Sequence, residues 1–176
     1  RHYRSEASGT RDPLLANELF LLDAHKPDAL LAHVRKQTIG EPSERNSHPF
    51  VAGNFSFVHN GTLGDPEQEV FGPVRDRPEG ETDSELYFQL VVKDLDSSEM
   101  RDKERIAAAI VEVVRVLRRE TSFRGGGFTS ASSILCDGRY AYVLREFDER
   151  HPAIHAGDSE TYYTLYMGKG MRGELI

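Results

Sequence analysis

The sequence predicts a layered α+β fold, and three observations carry that prediction. Strand-like runs come first, two helical periodicities follow back to back across residues 84–119, and strand-like runs then return, which is not the regular βαβ alternation of a parallel sheet. Asp137-Gly138 separates two apolar stretches and is a strong hairpin signal. At 176 residues with 38% hydrophobic side chains, the chain can bury a real core, and residues 1–176 are read as a single domain.

Asp12-Pro13 opens the first element with an N-cap and a proline at the first helical position; Leu14, Leu15, Leu19 and Leu22 supply its apolar stripe. This helix is expected to end within residues 23–27. Residues 29–34 are almost wholly apolar and read as a strand buried on both faces, with Arg35 at its end. Residues 36–47 are polar and turn-rich and read as a loop, and residues 50–59 read as the next strand, terminated by Asn60-Gly61. Residues 64–80 are dense in Pro, Gly, Asp and Glu and are expected to form a surface loop. Residues 84–95 form a helix with Leu86, Leu90 and Val91 on one side; residues 102–119 form a longer one with Ile106, Ile110, Val113, Val114 and Leu117 inward. After a Gly125-Gly126-Gly127 hinge, residues 129–135 and 139–145 read as two strands, and residues 161–167 as another.

Composition excludes several function classes. A formal charge of −7, from 29 acidic against 22 basic residues, is the wrong sign for a nucleic-acid surface. The one dense basic run, residues 115–119, lies beside Glu112 and Glu120 and reads as a solvated helix face. No apolar run approaches the roughly 20 residues that cross a bilayer, so no membrane partner is expected. The single cysteine, Cys136, excludes an internal disulfide and fits a reducing, cytoplasmic compartment. It ends an apolar strand at a tight turn with no adjacent histidine, the setting of a small core hydrophobe. His33, His48 and His59 lack the spacing of a metal motif, so no metal is expected.

Four short motifs stand in order in the first half: His33-Val34-Arg35, Asn46-Ser47-His48-Pro49, His59-Asn60-Gly61 and Gly80-Glu81-Thr82-Asp83-Ser84-Glu85. Each has an ordinary reading. An arginine at a strand end is most often a surface ion-pair partner, Asn-Gly is the commonest type I′ turn, and Thr82 with Glu85 satisfies the Ser/Thr-x-x-Glu capping box. If all four are ordinary turns and caps, the chain is a purely structural α+β domain.

Taken together and in this order, the motifs resemble the class II glutamine amidotransferase family across about residues 3–142, most of the chain. The short form of the motifs looks more like the stand-alone amidotransferase-like proteins, some of which cleave γ-glutamyl conjugates, than the long synthase-fused ones. The resemblance implies an Ntn-hydrolase-like αββα layered sandwich of antiparallel sheets. It also implies cleavage of the γ-amide of glutamine or a γ-glutamyl conjugate by an N-terminal cysteine, whose own α-amino group is the base. The sequence opens at Arg1 with no cysteine near its start and stops at Leu175-Ile176 in a strand-like run. The fold is therefore expected to be incomplete at both ends, and catalysis is conditional on a cysteine preceding Arg1. Without one, the expectation is a catalytically inactive γ-glutamyl-binding or interaction module.

The resemblance assigns roles residue by residue. Arg35 would grip the substrate α-carboxylate with its planar, permanently charged fork, and Thr38 would help hold the ligand, whereas Ile39 stands where many members carry histidine. Asn60, through its side-chain amide, and Gly61, through its backbone N–H, would stabilise the oxyanion formed when the amide carbonyl is attacked. Asp83 would pair with the α-ammonium, and Gly80 and Glu81 would shape the approach. Asn46, His48 and Pro49 would hold their loop. No cofactor is implied; the partners would be the small-molecule substrate and an ammonia-accepting synthase.

Overall fold

Gly53-Asn54 interrupts what the sequence presents as one strand. The chain turns there, with Gly53 at φ 57°, and makes an antiparallel hairpin of β1, Phe50–Ala52, and β2, Phe55–Asn60, in the register Phe50↔Phe57. In the computed structural model, which describes residues 2–35, 40–64, 79–98, 102–123 and 128–149, β2 also pairs antiparallel with β3, Ser132–Cys136, and β3 with β4, Ala141–Leu144. The resulting four-stranded sheet has the order β1-β2-β3-β4. Asp137-Gly138 turns β3 into β4 as expected: Gly138 sits at φ 83°, and Asp137 Oδ1 accepts from the backbone of both Arg139 and Tyr140.

Two helices cover one face of this sheet. α2, Asp83–Asp96, packs on β1 and β2, and α3, Lys103–Phe123, packs on α2 and β4. Of the residues the 3.6-residue period selects, Leu86 and Val91 on α2 and Ile106, Ile110, Val113, Val114 and Leu117 on α3 are buried, Leu90 is partly buried against the same core, and Tyr87, Phe88 and Leu95 are buried beside them. Period 2 then places Phe55, Phe57 and His59 on the helix-facing side of β2, beside Leu135 of β3. Phe57 is fully buried, stacked on Phe88 at 5.3 Å and edge-on to Tyr87 at 5.0 Å. α3 runs on to Phe123 because no helix breaker precedes the triple glycine.

α1, Pro13–His25, starts and stops where expected. Asp12 Oδ1 accepts from Leu14 N and Leu15 N, and Lys26 closes the helix at φ 44°. Its apolar stripe is not turned inward, however: Leu14, Leu19 and Phe20 are exposed. The cause is visible in the sequence, since leucine and phenylalanine surround the helix and no single face collects them. Residues 29–34 do not form the expected buried strand. That segment has no ladder partner among the described residues, and Val34 is 81% exposed. An apolar run predicts burial only where a neighbouring strand exists to bury it. The expected hinge at Gly125-Gly126-Gly127, the strand at residues 161–167 and most of the loop at residues 64–80 lie outside the described residues. No helix among the described residues is long and apolar enough to cross a membrane.

Candidate active site

Gly61 follows the last residue of β2 and is held against the backbone of the strand region opposite. A Cβ built on it would lie 1.9 Å from Ser130 O, and its φ is 152°; only glycine allows both. This is not the hairpin turn that Asn-Gly ordinarily signals, because β2 pairs with β3 across a long intervening segment. Beyond it the chain is pinned. Thr62 N donates to Thr129 Oγ1 at 2.9 Å, Thr129 N donates to Thr62 O at 2.8 Å, and Leu63 N donates to Asp83 Oδ2 at 2.7 Å. Asn60 pairs through its backbone with Ser132, its residue is exposed, and no hydrogen bond among the described residues uses its side-chain amide.

Asp83 is the first residue of α2 and is 4% exposed. Besides Leu63 N it accepts from Ser84 N through Oδ1 at 2.9 Å, so the carboxylate ties the Asn60-Gly61 segment to the positive end of the helix. Arg35 lies near enough to the same carboxylate to feel its charge. Partial burial draws its pKa below the ordinary arginine value, and the Asp83 charge opposes that shift. The structure thus brings four of the expected site residues, Arg35, Asn60, Gly61 and Asp83, to one place; Thr38 lies outside the described residues.

Asn46 is fully buried and fastens two loops. Its Nδ2 donates to Glu41 O at 2.8 Å and its Oδ1 accepts from Glu81 N at 2.8 Å. Arg45 adds a hydrogen bond to Glu81 Oε1 at 3.1 Å. Thr82 caps α2 by accepting from Glu85 N at 3.2 Å, but Glu85 reaches further back than a capping box requires. Its two oxygens accept from Glu79 N at 2.9 Å and Gly80 N at 2.8 Å. Burial pushes its pKa up, while those two donors act against the rise. Glu85→Gln exchanges one acceptor for an N–H that confronts a backbone N–H, so an expected loss of about 1–3 kcal/mol of stability should appear as a lower urea midpoint.

Three histidines that are remote in sequence also converge. His33 and His48 rings lie 4.2 Å apart, and His48 meets the edge of Phe50 at 4.6 Å. Burial is the main cause that lowers all three: His33 is pulled to about 4 and His48 to about 2, with His59 shifted the same way. Among the described residues no group of His, Cys, Asp or Glu is arranged to hold a metal ion. Burial and neighbouring Asp137 raise the Cys136 pKa, the direction that disfavours a thiolate. A groove of about 680 Å³ opens between β1, α2 and the first residues, floored by Phe50, Phe88 and Val92, and contains none of Arg35, Asn60, Gly61 or Asp83.

The hydrogen bonds made by His59, Ser84 and Ser130 were not read from the sequence, although His59 and Ser84 stand within two of its motifs; Glu85 was read as the capping-box partner of Thr82, but its bonds to Glu79 N and Gly80 N were not.

The pattern of the glutamine amidotransferases class-II matches residues 12–155. Glutamine--fructose-6-phosphate aminotransferase from Haemophilus influenzae is 36% identical over 144 residues, 80% of this chain and 19% of that protein. The probable glutamine amidotransferase DUG3 from Saccharomyces cerevisiae is 35% identical over 83 residues, 43% of this chain and 23% of that protein. The solved structure of a glutamine aminotransferase class-II domain protein (SPO2029) from Silicibacter pomeroyi superimposes with a TM-score of 0.56 at 24% identity, covering 98% of this chain and 71% of that one. Its likeness establishes the fold, the Ntn-type α+β arrangement of helices on an antiparallel sheet. The chain belongs to the class II glutamine amidotransferase family. It spans about a fifth of the length of the two curated relatives.

Proposed function

We propose that the protein cleaves the γ-amide of glutamine or of a γ-glutamyl conjugate, with residues 1–176 acting as one domain in the cytoplasm. The observation that carries this reading is the convergence of the Asn60 amide, unengaged among the described residues, and the Gly61 backbone with the Arg35 and Asp83 charges. In this reading Arg35 takes the α-carboxylate and Asp83 the α-ammonium, so the two opposite charges recognise the zwitterionic end of the substrate and leave its amide near Asn60 and Gly61. The nucleophile is an N-terminal cysteine thiolate outside this sequence. It attacks the amide carbonyl, the oxyanion is held by Asn60 Nδ2 and Gly61 N, ammonia or an amine leaves, and water hydrolyses the γ-glutamyl thioester to release glutamate. Released ammonia would pass to a synthase partner.

Arg35→Ala in the full-length protein tests the reading. A charge-assisted hydrogen bond is worth about 1.5–3 kcal/mol, so L-glutamine and L-glutamate should bind about 10- to 100-fold more weakly by calorimetry. Unchanged binding would overturn the assignment. Binding that depends on Arg35 in a wild-type protein that never turns over glutamine or a γ-glutamyl amide would replace the enzyme with a γ-glutamyl-binding module.

A further inference from the structure

We propose that His59 is a positioning residue, whose two ring nitrogens lock the Asn60-Gly61 turn to the head of α2. The ring is 3% exposed and lies edge-on to Tyr87 at 5.6 Å. Nε2 is 3.0 Å from Ser130 O, and Nδ1 is 2.9 Å from Ser84 Oγ. A carbonyl oxygen only accepts, so Nε2 carries the proton and donates to Ser130 O. In the neutral ring Nδ1 is then an acceptor, and Ser84 Oγ donates to it in preference to Asp83 Oδ1, which is farther away at 3.5 Å. Both hydrogen bonds hold the imidazole in one tautomer and one orientation.

The consequence lies in what each partner touches. Ser130 O is the atom against which Gly61 is seated, and His59 Nε2 itself stands 2.9 Å from the position of a Gly61 Cβ. Ser84 follows Asp83, and Asp83 accepts from Leu63 N, two residues beyond Gly61. Gly61, Leu63, Asp83, Ser84, His59 and Ser130 therefore form a closed ring of contacts. That ring sets the spacing between the proposed oxyanion donors and the proposed ammonium site, and a displacement of about 1 Å in such a spacing can cost on the order of 10²-fold in rate. The catalytic part of this inference rests on the proposed function; the mechanical part does not.

Two isosteric variants of the full-length protein separate the two nitrogens. His59→Gln retains an N–H donor near the place of Nε2, whereas His59→Asn is too short to reach Ser130 O. In His59→Asn, the Gly61, Thr62 and Leu63 amides should exchange with solvent at least about tenfold faster while α3 amides stay unchanged, because only the local opening becomes easier. Glutamine turnover should lose about tenfold or more in kcat with KM within about twofold, and His59→Gln should recover most of both effects. The wild-type imidazole should show one protonated nitrogen, Nε2, by nitrogen NMR at about pH 8. Unchanged exchange in His59→Asn, a proton on Nδ1, or equal losses in both variants that track the melting temperature would overturn the proposal. If the wild type turns over no γ-glutamyl amide, the reading of the reaction fails, while the amide exchange still decides whether His59 positions the turn.

Discussion

Gly61→Ala is expected to be the most damaging single substitution at the site. The added Cβ would meet Ser130 O at 1.9 Å, Ser130 C at 2.5 Å and His59 Nε2 at 2.9 Å, and the residue would keep a φ of 152°. Two of those atoms are backbone in a fully buried residue and the third belongs to a ring held at both nitrogens, so no side-chain rotation relieves the clash. Overpacking costs about 1–3 kcal/mol and a strained φ about as much again, which together predict a loss of about 2–6 kcal/mol in urea unfolding. The turn must also move off Ser130, carrying both proposed oxyanion donors with it. Glutamine turnover should then fall by about 10²- to 10³-fold or more. Gly53→Ala is the matched control. Nothing lies within 4 Å of its Cβ, so it should incur only the strain of a positive φ and leave turnover alone. A Gly61→Ala protein that melts and turns over like the wild type would show that the turn is not seated as described.

Acid should weaken the fold as the pH falls below about 6.5. Histidines in the unfolded chain titrate near 6.5, whereas burial holds His33 at about 4 and His48 at about 2 in the folded protein. For a base whose folded pKa is depressed, stability is complete above the unfolded value and is lost as the pH falls below it, because the unfolded chain takes up protons that the folded chain refuses. Each such group contributes about 1.4 kcal/mol per pH unit. With the half-buried His33 discounted for screening, the loss between pH 6.5 and 4 is on the order of 3–5 kcal/mol. Neither ring nitrogen of His48 has a hydrogen-bond partner among the described residues, and its ring packs on His33 and Phe50. His48→Phe should therefore fold well and remove about half of the acid sensitivity. Urea midpoints at about pH 7 and pH 4.5 for the two proteins measure this. A parallel fall in both would assign the sensitivity to other groups, among which buried His59 acts on the same cluster.

The parts of the fold that were legible in the sequence are those governed by local periodicity and punctuation. The α2 and α3 cores, the Asp12-Pro13 start of α1 and the Asp137-Gly138 turn all follow from spacing or from one residue's backbone preference. Where the outcome depended on a distant partner, the sequence misled. Residues 29–34 read as buried, yet Val34 is 81% exposed. The run from Phe50 to His59 read as one strand because weak alternation survives a two-residue turn at Gly53-Asn54.

The site divides along the same line. The order of the motifs pointed by itself to the family and to Arg35, Asn60, Gly61 and Asp83, because residue types at set intervals survive as a one-dimensional pattern. That Gly61 rests on Ser130 O, that Asp83 accepts from Leu63 N, and that His59 joins Ser84 to Ser130 was decided only by tertiary structure. Those contacts bridge 20 to 71 residues of chain, a distance over which a sequence carries no record of which donor will meet which acceptor until packing brings β2, β3 and the head of α2 together.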